Sequence, residues 1–316
     1  MIDLFTVLLL FSGLFVGLNL GANDAANSFG PTIGAGTLSY KAALILFSVF
    51  VILGASVQGF HTINTVGSGV IDSANTSVTA LISVLLAVAI MVSVFAFVGI
   101  PISTTPAILG GISGVALVYG VKANWDKVFL IFGAGLVTPI IAIFLGYLTY
   151  KYLNLSLTKL PFLRYESILS MLLIISSIFL AYSLGANGIG NAMGLVVGNG
   201  IVGPFFGGLL GGIALSIGAA TFGKRVMKTV SRDIMQLDAM MALSIQFATA
   251  VTIYLFTVFG IPTSTTPAML GSLIGVGLVK GVASLDMGTI KKIGVGWVTS
   301  PIIAALLAVM INSILS

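Results

Sequence analysis

The sequence predicts an all-α polytopic membrane protein of two inverted-topology repeats, about five membrane segments each, with broken or re-entrant helices at the midplane. Three observations predict it. The 316 residues are 58% hydrophobic and only 7% charged, with a mean hydropathy of +1.19, which rules out ordinary solubility. Unbroken apolar stretches of about 20 residues, enough to cross a hydrocarbon core about 30 Å thick, recur along the chain, whereas a membrane β-barrel would alternate with period two. Finally, GIPISTTPAILGGISGVALV from Gly99 returns as GIPTSTTPAMLGSLIGVGLV from Gly260 with 14 of 20 positions identical.

In chain order, MIDLFTVLLLFSGLFVGLNL lacks the basic start and small-residue cleavage site of a signal peptide and reads as the first membrane helix. It runs into GANDAANSFGP at Gly21–Pro31. Lys41–Phe60 spans, His61–Ser77 reads as a polar connection, and Val78–Val98 spans again. Gly99–Tyr119 is interrupted by PISTTP, Val128–Tyr150 spans, and Lys151–Arg164 reads as a basic loop.

The second half repeats this plan. Ile168–Leu184 leads into GANGIGNAMG at Gly185–Gly194, Pro204–Phe222 spans, and 224–232 is a charged loop. Ala239–Phe259 spans, Gly260–Val279 is broken by PTSTTP, and Ile293–Leu315 closes the chain. Gly207, Gly208, Gly211 and Gly212 read as helix-packing contacts. The boundary is set at 1–155 and 156–316, supported by LGANDAAN against LGANGIGN and VTPIIA against VTSPIIA.

Loop charge predicts how the halves are oriented. The 61–77 stretch has no Lys or Arg, whereas its counterpart carries Lys224, Arg225, Lys228 and Arg232. No basic residue precedes Lys41, whereas Lys151, Lys159 and Arg164 lead into the second half. The positive-inside rule then places loops 151–164 and 224–232 in the cytoplasm and the amino terminus outside, in the cell membrane. Inverted repeats with interrupted helices belong to secondary transporters, whose sites lie where the halves meet.

Asp24 is the only carboxylate deep in an apolar stretch, and such a group is costly there unless it serves a site. The motifs around it supply two kinds of ligand. Prolines bracket Ser103, Thr104 and Thr105, and likewise Ser264, Thr265 and Thr266, placing six hydroxyls at the starts of short helices, where free amides and a partial positive charge suit phosphate-like anions. The competing reading is simple helix capping. Asp24 with Asn23, Asn27, Asn187, Asn191 and freed backbone carbonyls supplies the hard oxygen ligands of a sodium ion. A proton carried on Asp24 is the rival, and turn or interhelical roles are the rival for the asparagines.

Other polar residues receive lesser readings. Gln58 and Gln246 either line the pathway or make interhelical hydrogen bonds, His61 is a surface residue, and Asp126 and Asp286 are helix caps. Glu166, Asp233 and Asp238 have no transport role. No cysteine and a single histidine exclude thiol chemistry and histidine metal clusters. Without a pair of buried carboxylates, an intramembrane enzyme is disfavoured. The net charge of +5, confined to loops, speaks for topology and against nucleic acid.

GANDAANSFGP, GANGIGNAMG, the paired GIP-x-STT segments and GKRVMKTVSRDIMQLD together resemble the inorganic phosphate transporter (PiT) family along essentially the whole chain. The resemblance implies symport of an inorganic oxyanion, usually phosphate but in one branch sulfate, with sodium or protons. It implies substrate contacts at Ser103, Thr104, Thr105, Ser264, Thr265, Thr266, Asn23 and Asn187. Coupling-cation contacts fall on Asp24, Asn27 and Asn191, and the lipid-embedded chain is compatible with a homodimer. Two departures stand out: Gly188 replaces the second aspartate, and Pro106 and Pro267 replace the histidines that follow STT in many members. Losing those histidines removes groups that titrate near neutrality and tilts the expectation toward sodium. Asp24 favours phosphate, which retains hydroxyl hydrogens, over sulfate, which has none.

Overall fold

The computed structural model describes residues 3–98, 103–223, 238–281 and 287–316. Among these are α1 (Leu4–Gly34), α2 (Tyr40–Val57), α3 (Phe60–Asn64), α4 (Val78–Val98), α5 (Thr104–Tyr119), α6 (Trp125–Leu157), α7 (Phe162–Gly198), α8 (Pro204–Thr221), α9 (Ala239–Val258), α10 (Thr265–Lys280) and α11 (Met287–Leu315). Eight of them are long and apolar enough to cross a membrane, so the protein is an all-helical, multi-pass membrane protein. The other two long enough to matter, α5 and α10, have 16 residues each, about 24 Å, and stop short of a full crossing.

Side chains fix several helix starts. Asp3 accepts the Thr6 amide at 2.7 Å, Asp238 accepts that of Met241 at 2.8 Å, and Ser39 opens α2 in the same way. The cap of α6 is Asn124, which accepts the Lys127 amide at 3.2 Å; Asp126, expected to cap, lies inside the first turn. Asp233, Asp286 and the loop 224–232 lie outside the described residues.

Three expectations are corrected. Neither GAN motif breaks its helix: α1 runs through Gly21–Pro31 and α7 through Gly185–Gly194 without interruption. In lipid the helix is the cheapest way to satisfy every peptide group, and the small residues cost nothing because neighbouring helices cover them. The supposed basic loop 151–164 consists mainly of the ends of α6 and α7, with only 158–161 between them. The 61–77 connection is also folded: α3 and the helical turns that follow, over 65–70 and 73–75, pack against α7, where Thr62 donates to the Ala186 carbonyl at 2.8 Å.

The halves interlock by exchange. α1 packs on α8 while α2 packs on α7; α4 and α5 pack on α11 while α9 and α10 pack on α6. The first glycine of each GAN motif permits the matching crossings, since a Cβ at Gly21 would lie 1.8 Å from the Leu215 carbonyl oxygen and one at Gly185 would lie 2.2 Å from that of Val51. The α8 glycines pack as expected, Gly208 and Gly212 against α2 and Gly207 and Gly211 against α7 side chains.

Two helical hairpins, α4–α5 and α9–α10, approach each other tip to tip, where Thr105 Oγ1 donates to the Thr263 carbonyl at 3.1 Å. Their open ends lie at opposite ends of α6. The first returns to Tyr119 just before α6 begins, and its connection bridges Ile71 to Ala123. The second is closed by the Lys280–Asp238 ion pair, which lies beside Tyr150 near the end of α6.

Candidate functional site

The hairpin tips meet against the GAN segments of α1 and α7. Ser103 and Ser264 precede α5 and α10 in extended conformations, with φ/ψ of −91°/122° and −91°/132°, and neither caps its helix with its side chain. Pro106 and Pro267 sit in the first turn, where a missing amide costs nothing. Simple capping therefore does not account for the serines, and the leading amides of both helices lack an acceptor within their own helix.

Asp24 is 1% exposed. Its Oδ1 accepts a long hydrogen bond from Thr265 Oγ1 at 3.5 Å, which ties α1 to the second hairpin. No basic side chain pairs with it among the described residues, where Lys280–Asp238 is the one ion pair. Its Oδ2 faces Gly188, at which a Cβ would lie 3.7 Å away, ordinary contact distance. The counterpart of Asp24 in the second repeat thus looks directly at it.

The asparagines divide. Asn187 clamps the second tip: Nδ2 donates to the Thr263 carbonyl at 2.6 Å, and Oδ1 accepts from the Thr263 amide at 3.1 Å and from Thr257 Oγ1 at 3.3 Å. Asn191 Nδ2 donates to Thr105 Oγ1 at 2.9 Å, while its Oδ1 is buried without a partner. Asn23 and Asn27 are half-buried on the same turn as Asp24. Neither helix breaks at its GAN motif, so no carbonyl is freed by an unwound turn; within α1, however, Pro31 has no amide to offer the Asn27 carbonyl.

Ser103 and Thr105 are buried, as are Ser264 and Thr266, while Thr104 and Thr265 are half-buried. Ser103 Oγ joins Asn191 Oδ1 among the buried polar atoms with no partner. Two more such atoms, Thr263 Oγ1 and Trp297 Nε1, belong to residues not anticipated from sequence. Both line a cavity of about 10 Å³ between the tips, together with Thr105, Pro106, Ser264 and Gly135.

Below Asp24, Ser28 Oγ donates to the Asp24 carbonyl at 3.0 Å, and Gln246 Nε2 donates to the Ser28 carbonyl at 2.6 Å. Gln246 Oε1 accepts from Ser176 and Ser177, and Thr32 meets Ser177 at 2.5 Å, so Gln246 fastens α9 to α1 and α7. Gln58 accepts from the Tyr182 hydroxyl at 3.0 Å, another interhelical bond, and His61 is half-buried against Phe60.

The chain is 27% identical to a protein of Pyrococcus horikoshii named "Putative phosphate permease", covering 99% of this chain and 98% of that one. It is 30% identical to one of the same name from Methanocaldococcus jannaschii, over 93% and 92%. Its identity to the Bacillus subtilis protein named sulfate permease CysP is 28%, over 97% and 86%. The solved structure titled "The sodium-dependent phosphate transporter" has the same fold, with a TM-score of 0.88, 22% identity and 99% of each chain covered. The model of the phosphate transporter family matches residues 20–308, nearly the whole chain, and the protein belongs to that family.

Proposed function

We propose that the protein is a secondary symporter of inorganic phosphate, driven by sodium, in which residues 1–155 and 156–316 form inverted halves that alternate access around the hairpin tips. Family membership makes it a transporter and not an enzyme. The observation that carries the finer reading is the meeting of two uncapped helix starts and several unpartnered buried polar atoms beside a single unpaired carboxylate. An anion suits the helix starts and hydroxyls; a cation suits side-chain oxygens such as those of Asp24, Asn27 and Asn191.

Inversion is supported by the exchanged packing of matched helices and by hairpins whose open ends lie at opposite ends of α6. With Lys151, Lys159 and Arg164 near the end of α6, the positive-inside rule puts that end and the mouth of the second hairpin in the cytoplasm. The oxygen donors around Asp24 favour sodium; a proton on the Asp24 carboxyl is the rival coupling ion. Sulfate is the second anion reading, favoured by the sulfate permease among the relatives and by the loss of a carboxylate at Gly188.

Radiolabelled uptake into proteoliposomes tests this. An inward sodium gradient at fixed pH is expected to drive phosphate accumulation above the outside concentration, with little inhibition by excess sulfate. Uptake indifferent to sodium but driven by a pH gradient assigns the proton, and equilibration without accumulation assigns a pore.

A further inference from the structure

Two positions break the likeness between the halves at the place where the hairpins meet. Within GIPISTTP and GIPTSTTP the one difference is Ile102 against Thr263, and in the matching stretches GLVTP and GWVTSP, Leu136 stands against Trp297. Leu136 is 58% exposed on the outer face of α6. Trp297 instead turns inward: its indole lies over Gly135, where a Cβ would approach the ring to 3.4 Å, and its N–H is buried without a partner.

Thr263 is 2% exposed, and its backbone amide and carbonyl are both held by Asn187 at 3.1 and 2.6 Å, so its side chain is fixed in direction. Its hydroxyl is also unpartnered, and it lines the same cavity as the indole. An indole N–H only donates, and a hydroxyl donates readily. Two unpartnered buried groups that can both donate around one cavity match an acceptor with several lone pairs, and the indole N–H offers a cation no ligand.

We infer that Thr263 and Trp297 form a donor pair, supplied by the second half alone, that grips one deprotonated oxygen of a tetrahedral oxyanion. The inference rests on the proposed reading of the protein as an oxyanion carrier. With the tips closed, the cavity of about 10 Å³ holds about one water. The pair therefore meets the anion as the tips separate, and its one-sidedness adds to the asymmetry that Asp24 against Gly188 already gives the site. The rival is a structural water that bridges the two groups and never yields to substrate.

The chain has only two tryptophans, and the other, Trp125, is 38% exposed at the start of α6, away from the tips. A Trp125→Phe protein thus reports from Trp297 alone. Its fluorescence is expected to change on titration with inorganic phosphate in sodium buffer, saturating at concentrations that match the uptake KM. Trp297→Phe keeps the ring and loses the donor, and is expected to raise the phosphate KM roughly tenfold with a smaller effect on maximal rate. Thr263→Val is expected to act similarly, with Thr263→Ser close to wild type. A silent Trp297 with unchanged KM values in transporting protein overturns the donor pair alone, even if the variants are less stable. Wild-type protein that neither binds nor accumulates phosphate overturns the carrier reading and the pair with it.

Discussion

An Asp24→Asn protein is expected to insert and fold normally yet lose sodium-driven phosphate uptake by on the order of 100-fold, the scale of losing one interaction with a charged partner. The substitution keeps shape and nearly all packing. Asp24 is 1% exposed and has no basic partner among the described residues, so removing its charge relieves a burial cost and should not weaken the fold. The carboxamide can still accept from Thr265 Oγ1, now 3.5 Å away, and hold α1 against the second hairpin. What it cannot replace is the negative charge that a sodium ion needs among otherwise neutral oxygens. Because Gly188 faces the same carboxylate, no second acid stands ready to compensate. Uptake assays with thermal melting of the purified protein check both halves of the statement; wild-type transport by this variant would remove Asp24 from the mechanism.

The second large effect concerns how the hairpins are held. A Cβ at Gly110 would lie 2.2 Å from the Pro301 carbonyl oxygen, and one at Gly271 would lie 2.4 Å from that of Pro139. Each short helix therefore rides on the proline-bearing segment of the other half's last helix, and backbone has no rotamer by which to move aside. Gly110→Ala and Gly271→Ala are each expected to cost about 1–3 kcal/mol, the range for overpacked contacts. Each should also cut uptake sharply by shifting an STT helix start from its place. The paired positions should behave alike. Gly133→Ala on α6, with nothing within 4 Å, is the tolerated control. Melting temperatures and uptake rates measure this, and a Gly110→Ala protein that melts and transports like wild type would refute the packing argument.

Much of the architecture was legible because its signals are long or repeated. Apolar runs marked the spans, and the twenty-residue repeat marked both short helices to within a few residues of Thr104 and Thr265. Asp24 stood out because an acid in such surroundings is rare. The continuity of α1 and α7 was not legible, since Gly and Asn read locally as breakers. Only the crossings at Leu215 and Val51 show that Gly21 and Gly185 serve close approach and not a turn. The role of Asn187 as a clamp depends on where the second tip comes to rest, which no local pattern encodes. Thr263 and Trp297 are mismatches between the repeats, and only their buried, unpartnered polar atoms around one cavity set them apart from other mismatches.

An anion between the STT helix starts and sodium at Asp24 should both be visible in a structure determined with phosphate and sodium. The expected result is tetrahedral density bounded by Ser103–Thr105 and Ser264–Thr266, and a cation within coordination distance of the Asp24 carboxylate. Phosphate bound elsewhere in a transport-competent protein, with the hairpin tips still closed on each other, would contradict it.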